Sequence, residues 1–315
     1  MDSYELDDYL KPYCNWGRWG SNDEVGTFNF INPNMIVDAC KLVTKGKVFS
    51  LAMPFDKDCS QIRREGSRRF NPVHTMLKSG TDLAGMDQQN LPPIYTTDDM
   101  ITMPLQVSTQ WDAFAHVLYR GKMYNGVDYS MVDSGGANKI SIDKVSKEMI
   151  GRGVLLDIPR FKGIPWLQPG DPILSTELQE CADYQKVEIK RGDYLLIRTG
   201  HIALCRDKGT WGDFAGGKRP GITVEAIPWI FDKEISAIAC DNYGVEAIPS
   251  GVDDVGSPVH VATLANMGLT LGELFDLDEI AEDCALDKVY EFLFVAPPIP
   301  VTQAVGSPCN PYAVK

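Results

Sequence analysis

The sequence predicts a single α/β domain with a mixed β-sheet and peripheral helices. Short apolar, β-prone runs alternate with segments of helical periodicity from residue 33 onward. No internal repeat, low-complexity tract or linker divides the 315 residues. A hydrophobic content of 44% with 23% charged residues is ordinary for a globular protein and sufficient for one large core.

The charge balance argues against nucleic acid as a partner. The sequence has 30 Lys and Arg residues against 43 Asp and Glu residues, and its formal net charge is −13. Binding to a phosphate backbone needs a basic patch, and only the cluster of Arg63, Arg64, Arg68 and Arg69 approaches one. Glu65 lies inside this cluster, which is therefore either a solvated loop of mixed charge or a surface that steers an anionic substrate.

The cysteine pattern and the N-terminus predict a cytoplasmic protein. The eight cysteines are widely scattered and form no CxxC pair, which is typical of reduced thiols in an intracellular protein. The acidic start, MDSYELDDYLKPY, lacks the basic and apolar regions of a secretory signal. No apolar run approaches the ~20 residues that a membrane helix needs, so we expect no membrane partner.

The chain begins with an arm, residues 1–31, that is rich in aromatic residues and glycine. We expect little regular structure in this arm, which must pack on the rest of the protein. A helix should follow, because Asn32 is suited to cap its N-terminus and Pro33 to occupy its first turn. Gly46 is expected to end this helix.

Beyond residue 46, strand and helix patterns alternate. Predicted strands cover residues 47–53, 100–107, 154–158, 193–199, 235–240 and 290–296. Predicted helices cover residues 141–149, 222–231, 258–267 and 277–286, and one more begins at Ser175 or Thr176. Residues 56–98 are polar and rich in turn signals, which predicts a long ordered loop. Neither GxGxxG nor GxxxxGK[ST] occurs, so nucleotide binding has no support.

The stretch LQVSTQWDAFAHV, residues 105–117, is the main candidate for a functional site. It places Gln110, Asp112 and His116 within seven residues at the end of an apolar run. If the strand continues, Ser108, Gln110 and Asp112 share one face and Trp111 lies on the other. A carboxylate buried there is costly unless it is paired, hydrogen-bonded or bound to a metal.

The same residues also allow a purely structural interpretation. Asp112 could form an Asx-turn with nearby backbone N–H groups, and His116 could cap a helix or lie in the core. A second candidate segment lies in the C-terminal third, SPVHVATLANMGLTLGELFDL. It places His260 and Glu273 on either side of a predicted helix and a turn.

Together these segments resemble the cyclase family of kynurenine formamidase-like and isatin hydrolase-like metal-dependent hydrolases. The resemblance also includes NWGRWGSNDEVGTFNFI, RFNPVHTM, KMYNG, GRGVLLDIPR, GDYLLIRTG, DNYGVE and FLFVAPPIPVTQAVGSPCNP, and it spans nearly the whole chain. Four residues fall on the family motif HxGTHxDxPxH and two on its downstream His and Glu ligands. In that order they are Gln106, Gln110, Asp112, His116, His260 and Glu273.

The chain departs from the family motif at four positions. Gln106 and Gln110 stand at its two histidines, Ser108 at its glycine and Phe114 at its proline. An amide oxygen is a weaker and harder ligand than imidazole, so the departures favour Mn²⁺ or Mg²⁺ more than the family pattern does, with Zn²⁺ as an alternative. The resemblance further implies a swivelling β/β/α architecture, a homo-oligomer (dimer or tetramer), and an arm over the same or a neighbouring subunit.

The resemblance implies a hydrolase that opens an amide, lactam or lactone of a small, aromatic or cyclic substrate. Asp112, His260 and Glu273 would hold a divalent ion, with Gln110 and Gln106 as weaker oxygen ligands, and His116 would transfer the proton. Four further side chains are candidates for substrate contact, although side chains of these types more often belong to the core. They are Trp111, Phe114, Tyr124 and His74.

Two other hypotheses remain open from the sequence. One is a metal-free cyclase, lyase or isomerase that uses His116 as acid or base and the amides of Gln106 and Gln110 as hydrogen-bond donors. The other is an inactive binding protein. Retention of His116 together with Asp112, His260 and Glu273 argues against the inactive protein.

Overall fold

A mixed β-sheet organises the computed structural model, which describes residues 1–61 and 68–315. The strands are β1 (Val48–Ser50), β2 (Val73–Lys78), β3 (Asp98–Thr102), β4 (Gln110–Asp112), β5 (Val132–Asp133), β6 (Gly136–Ala137), β7 (Ile150–Asp157), β8 (Pro172–Ile173), β9 (Tyr194–Arg198), β10 (Gly221–Ile222), β11 (Ala237–Cys240), β12 (Thr270–Glu273), β13 (Glu291–Val295), β14 (Gly306–Pro308) and β15 (Tyr312–Val314).

Helices connect and flank these strands. They are α1 (Ser3–Leu10), α2 (Pro33–Cys40), α3 (Ile158–Lys162), α4 (Ser175–Gln185), α5 (His201–Lys208), α6 (Ile227–Asp232), α7 (Pro258–His260) and α8 (Asp278–Asp287). Helix α7 continues as a π-helical segment over Val261–Met267. Short 3₁₀ turns cover Gly26–Phe30, Gly80–Leu83, Gln88–Asn90, Phe114–His116, Tyr124–Gly126, Tyr129–Met131, Ile142–Val145 and Val224–Ala226.

The large sheet has nine strands in the described residues, in the order β1-β15-β13-β7-β9-β11-β12-β4-β14. Its centre is parallel, because β7, β9, β11 and β12 run in the same direction and are joined through helices. Antiparallel strands complete it on both sides. The predicted α/β fold with a mixed sheet is thereby confirmed.

The centre of the sheet is covered on both faces, as parallel sheets usually are. Every residue of β9 and β11 is buried. Helix α4 begins at the predicted Ser175, contacts β7 and buries Leu178, Cys181 and Ala182. An aromatic group of Trp111, Phe275 and Phe294 packs at ring distances of 5.0 to 6.4 Å.

The N-terminal arm contains more regular structure than the sequence predicted. Asp2 caps α1 through a capping box with Glu5, and α1 buries Leu6 and Leu10. Farther along, the Trp16 indole N–H donates to the carbonyl of Ala265 at 2.7 Å. The arm therefore packs on the body of its own chain at the π-helical segment.

Several predicted boundaries were wrong. Helix α2 begins at the predicted Asn32 cap but ends at Cys40, well before Gly46. The predicted loop over residues 56–98 contains β2, which pairs with β3 to form a β-hairpin. Only residues 100–102 of the strand predicted over residues 100–107 are in a strand, β3; an irregular segment follows, and β4 begins later, at Gln110. The strand predicted over residues 290–296 corresponds to β13, but the two strands after it, β14 and β15, were not predicted. Helix α5 was not predicted either.

Membrane insertion gains no support from these helices. None of the helices in the described part of the chain combines the length and the apolar character needed to cross a bilayer.

His201, the first residue of α5, is a buried histidine whose pKa is strongly lowered. Its ring lies 4.6 Å from that of Phe214, and its Nδ1 has no hydrogen-bond partner among the described residues. Burial, followed by the charges of Arg219 and Lys208, lowers the pKa of His201 to about 4. The folded protein therefore holds this side chain neutral at pH values where an unfolded chain would protonate it.

We expect His201→Phe to flatten the dependence of stability on pH. Between the unfolded pKa near 6.5 and the folded pKa near 4, only the unfolded state binds the proton, so stability falls as pH falls. From pH 7 to pH 4.5 the wild type should lose about 2 to 3 kcal/mol more unfolding free energy than the variant, at ~1.36 kcal/mol for each pH unit. Urea unfolding at both pH values measures this difference, and equal losses would contradict the assignment.

Candidate metal centre

Strand pairing brings the two candidate segments of the sequence together. Strand β4 lies between β12 and β14 and is antiparallel to both. Gln110 stands directly opposite Glu273 on β12, and Asp112 stands opposite Gly306 on β14. The carboxylates of Asp112 and Glu273 therefore lie on neighbouring strands, although 161 positions separate them in the sequence.

His260 completes a cluster with these carboxylates. Its Nε2 lies 3.5 Å from Oε1 of Glu273 and 3.8 Å from Oδ2 of Asp112. One ligand atom from each of the three residues lies within 4.8 Å of the other two, and all three residues are buried. The structure thus brings together the three residues that the sequence predicted as the main metal ligands.

The polar atoms of this region are unusually poor in hydrogen bonds. Within residues 1–61 and 68–315, both carboxylate oxygens of Asp112, Oε2 of Glu273, both amide atoms of Gln110 and Nε2 of Gln106 are buried without a partner. Most buried polar atoms in folded proteins are hydrogen-bonded, because an unpaired one keeps its full desolvation penalty. Such a concentration of unpaired oxygen atoms is what a cation site requires.

The spacing of these atoms fits a single divalent ion. Ligand atoms bound to one Zn²⁺ at ~2.0–2.2 Å lie within ~4.4 Å of one another. The two measured distances from His260 fall inside this range, and the 4.8 Å limit for the set lies only slightly above it. One imidazole and two carboxylates form a donor set that suits Zn²⁺ or Mn²⁺.

Glu246 orients His260. Glu246 was not among the residues predicted from the sequence. Its carboxylate contacts Nδ1 of His260 and also accepts a 3.1 Å hydrogen bond from the backbone N–H of Val259. A carboxylate at Nδ1 fixes the ring and directs Nε2 toward Asp112 and Glu273. The segment DNYGVE, which resembles the cyclase family, contains Glu246 and was the only available signal.

The carboxylates have opposite pKa shifts. Burial, reinforced by Glu273, raises the pKa of Asp112 above its usual value, against the lowering effect of His116 and His260. Burial also acts to raise the pKa of Glu273, but the contact with His260 outweighs it and the net shift is downward. Burial lowers the pKa of His260, yet Glu246 and Glu273 overcome this effect and raise it to about 10. The cluster therefore disfavours the charged form of Asp112 and favours the charged forms of His260 and Glu273.

Two arginines and a tyrosine lie beside the cluster. Nη1 of Arg69 donates to the Tyr243 hydroxyl at 2.9 Å, and the guanidinium carbons of Arg69 and Arg219 lie 5.9 and 5.6 Å from the Tyr243 ring centre. Both arginines act electrostatically on Glu273. Arg69 is one of the four residues of the predicted arginine cluster. Arg63 and Arg64 of that cluster lie outside the described residues.

His116, the predicted proton carrier, is at the edge of the cluster. It ends the 3₁₀ turn that follows β4, and its Nε2 lies 3.9 Å from Oδ1 of Asp112. Its side chain is 25% exposed, whereas that of Asp112 is 1% exposed. His116 can therefore reach both the buried carboxylate and the solvent.

The two motif glutamines lie in the same region. The side chain of Gln110 is completely buried on β4, opposite Glu273. The carboxamide of Gln106 packs over Gly306, where an added Cβ would lie 2.5 Å from its Nε2. Because Gly306 is the ladder partner of Asp112, Gln106 lies close to the cluster, and a larger residue at 306 would require the side chain of Gln106 to move.

The four predicted substrate contacts have different surroundings. Trp111 is fully buried on the opposite face of β4, where its indole N–H donates to the carbonyl of Ala296 at 2.8 Å. Phe114 and Tyr124 are buried and pack together with ring centres 5.1 Å apart. His74 is exposed on β2 and pairs with Asp99 at 2.7 Å. Three of these residues are therefore buried and one is exposed, and their contact with a substrate stays a prediction.

Asp241, at the end of β11, has a structural role. Its Oδ1 accepts hydrogen bonds from the backbone N–H and the hydroxyl of Thr199, and its Oδ2 accepts one from the N–H of Gly200. This carboxylate fixes the turn before α5. Asp241 is as deeply buried as Asp112, but it is fully hydrogen-bonded.

Comparisons with known proteins agree with this architecture. The sequence model of the putative cyclase family matches residues 49–247. The crystal structure of a novel cyclase is 38% identical to the chain, with a TM-score of 0.89, and the match covers 97% of this chain and 99% of that one. A comparison with curated protein sequences finds no significant match.

Two more distant structures show the same fold. Isatin hydrolase A from Ralstonia solanacearum is 17% identical with a TM-score of 0.62, and the match covers 85% of this chain and 92% of that one. A predicted metal-dependent hydrolase from Bacillus stearothermophilus is 16% identical with a TM-score of 0.52, covering 86% of this chain and 98% of that one.

We expect Asp112→Asn and Asp241→Asn to change stability in opposite directions in metal-free protein. Asp112→Asn replaces a buried carboxyl group whose oxygens are unpaired and whose charged form burial disfavours, and it should raise the unfolding free energy by about 1 to 3 kcal/mol. Asp241→Asn replaces an acceptor that holds three donors and should lower it by a similar amount. Chemical unfolding in the presence of a chelator gives both values. Destabilisation by Asp112→Asn would mean that its carboxylate is already satisfied within the protein.

Proposed function

The chain belongs to the cyclase family, and from this premise we propose that it is a metal-dependent hydrolase. The proposed reaction opens an amide, lactam or lactone in a small, aromatic or cyclic substrate. The observation that carries the proposal is the buried cluster of Asp112, His260 and Glu273, with its unpaired carboxylate oxygens. Structural similarity to an isatin hydrolase and to a predicted metal-dependent hydrolase supports this assignment at the level of the fold.

Three residues would hold the ion and two would assist. Asp112, His260 and Glu273 supply charged or imidazole ligands, and Gln110 and Gln106 supply amide oxygens. Mn²⁺ and Zn²⁺ are the favoured ions, with Mg²⁺ as a further candidate because the set is rich in oxygen. When bound, the ion would polarise the substrate carbonyl and increase the acidity of water.

The remaining residues of the site prepare it for hydrolysis. Glu246 keeps Nε2 of His260 directed at the two carboxylates. His116 accepts a proton from the attacking water and returns it to the leaving group, since its ring lies between Asp112 and the solvent. Arg69 and Arg219 moderate the negative charge of the carboxylates.

A second candidate function is a metal-free cyclase, lyase or isomerase. The observation that favours it is the direct contact between His260 and Glu273, which neutralises one carboxylate without an ion. In that case His116 acts as acid or base, and the carboxamides of Gln106 and Gln110 donate hydrogen bonds to the substrate.

The proposed partners follow from the surface charge and the site. A net charge of −13 favours a small-molecule substrate over nucleic acid. The homo-oligomer and the cytoplasmic location remain predictions from the sequence.

Removal of the ion distinguishes the two candidate functions. Exhaustive chelation should abolish hydrolysis of a panel of cyclic amides, aryl formamides and aryl lactones, and it should lower the melting temperature, because an ion that binds only the folded state stabilises it. Added Mn²⁺ should restore both properties. Full activity in protein shown by elemental analysis to contain no metal would exclude the hydrolase mechanism and support the metal-free one.

Replacement of His116 tests its role as proton carrier. His116→Ala should reduce kcat by a factor of about 10² to 10⁴, which is the usual contribution of general acid-base catalysis. Mn²⁺ affinity and the melting temperature should change little, since His116 is not among the proposed ligands. Wild-type turnover in this variant, with any accepted substrate, would remove His116 from the mechanism.

A further inference from the structure

Arg219 is a buried cation that is held in a fixed position beside the candidate metal centre. Its exposed fraction is only 8%, and its backbone N–H and carbonyl both bond to Ile248, at 3.2 and 3.0 Å. Its Nε donates to the backbone carbonyl of Glu246 at 3.2 Å, and the side chain of Glu246 contacts His260. Burying a charge is costly, so an arginine in this place implies a specific need for positive charge.

The backbone after β11 is shaped to receive this guanidinium. An added Cβ at Gly244 would lie 2.7 to 3.0 Å from Nη2, Cζ and Nε of Arg219, so the guanidinium packs directly on the glycine. Gly244 has a φ of +89°, and Val245 has a φ of +59°, which is a rare conformation for a β-branched residue. The backbone N–H of Glu246 closes this turn by donating to the carbonyl of Gly244. The strained turn therefore joins the seat of Arg219 to the carboxylate that orients His260.

Arg69 brings a second positive charge to the same place. Its Nη1 donates to the Tyr243 hydroxyl at 2.9 Å, and the guanidinium carbons of Arg69 and Arg219 lie 5.9 and 5.6 Å from the centre of the Tyr243 ring. Both arginines act electrostatically on Glu273, and Arg69 also acts on Asp112. We call these two residues the arginine pair. The pair contacts one tyrosine ring beside the carboxylates that are proposed to hold the ion.

The net charge of the site changes sign when a divalent ion binds. Among the described residues, the site contains the carboxylates of Asp112, Glu273 and Glu246 and the two guanidinium groups of the arginine pair. His260 must be neutral to bind an ion through Nε2, and it then donates its Nδ1 proton to Glu246. Three negative and two positive side chains give a net charge of −1 without the ion and +1 with it. A site with one excess positive charge favours an anion.

Balancing the carboxylates is not a sufficient reason for the arginine pair. Two guanidinium groups beside a cation site repel the cation that the carboxylates bind. They would therefore weaken ion binding without any gain if the substrate were neutral. The chain as a whole has a charge of −13, so a small anion also needs a local cationic group to reach the site.

We propose that the arginine pair binds a carboxylate, or an equivalent anionic group, which the substrate carries beside the bond that is opened. The substrate class is thereby narrowed to the anionic members of the small aromatic or cyclic amides, lactams and lactones. A planar guanidinium group matches the geometry of a carboxylate, and a hydrogen bond between charged groups is stronger than one between neutral groups. The inference rests on the proposed hydrolase function, because it names the substrate of that site.

The first test measures anion binding without turnover. Benzenesulfonate is an aromatic anion that coordinates divalent ions poorly, and methyl phenyl sulfone is its uncharged counterpart. In calorimetric titrations, the Mn²⁺-loaded wild type should bind benzenesulfonate more tightly than the sulfone, by about tenfold or more. Arg69→Gln should remove this difference. Arg68→Gln is the matched control, because it removes the same charge from the neighbouring, exposed side chain, and it should keep the difference.

Two results of these titrations would overturn the proposal. One is equal affinity of the wild type for the two compounds. The other is an equal loss in Arg69→Gln and Arg68→Gln, because it would mean that only the overall charge matters.

The second test compares an anionic substrate with its ester. The wild type should hydrolyse ortho-formamidobenzoate with a higher kcat/KM than its methyl ester. Arg69→Gln should lower the ratio of the two kcat/KM values by about tenfold or more, chiefly through KM. Arg219→Lys keeps the charge but loses the planar fork, and it should lower the ratio as well. An equal loss for acid and ester would contradict the inference and assign the arginines to the transition state.

Failure of the inference can be distinguished from failure of the proposed function. Mn²⁺ binding with ester hydrolysis, but without preference for the acid, would leave the hydrolase intact and refute only the anionic substrate. A wild type that binds no Mn²⁺ and hydrolyses neither compound would exclude the hydrolase. Titration of the metal-free protein with benzenesulfonate then decides on the arginine pair alone: binding that is lost in Arg69→Gln supports the anion site, and absence of binding refutes it.

Discussion

The register of β4 against β12 is the constraint on which the candidate site depends. It places Gln110 opposite Glu273 and directs Asp112 toward His260, while Trp111 points into the aromatic core. Side chains alternate along a strand, so a shift of one residue would bury Asp112 among aromatic rings and expose the indole to the site. The packing of Trp111 against Phe275 and Phe294 therefore keeps the carboxylate in position.

Strands β11 and β4 show that a buried carboxylate can be structural or available for binding. Asp241 ends β11 with three donors from Thr199 and Gly200, and these fully occupy it. Asp112 ends β4 with both oxygens unpaired among the described residues. Both are buried aspartates at strand ends of one sheet, so residue type and depth do not distinguish them. The difference lies in the backbone, since only Asp241 faces a turn whose N–H groups point toward it.

Local features of the fold could be predicted from the sequence, and non-local ones could not. The Asn32 cap, the start of α4 at Ser175 and the strand β9 depend on residues close in the chain, and all were predicted correctly. The β2–β3 hairpin was missed because its apolar side chains are exposed, so no buried face imposes a readable pattern. Strand β14 was missed because Pro308 argues against a strand, although an edge strand tolerates it.

The candidate site also contains residues that could be predicted from the sequence and residues that could not. Asp112, His260 and Glu273 were identifiable from family-like motifs, and the structure brings them together. Glu246 was not, because it reaches His260 across a loop of thirteen intervening residues, and no spacing rule covers such a contact. Aromatic residues suit both a pocket and a core. Only three-dimensional packing decides between these two places for Trp111, Phe114 and Tyr124.

Gly306 has a consequence for how this site could evolve. An added Cβ at position 306 would collide with the carboxamide of Gln106, yet a shorter side chain at position 106 would leave that space free. Mutations at the two positions are therefore coupled, because a Cβ at position 306 requires the side chain at position 106 to move or to shorten. A shorter residue at 106 would relax the need for glycine beside Asp112, and an alanine acquired there would in turn disfavour the return of a long ligand at 106 in the present position of Gln106.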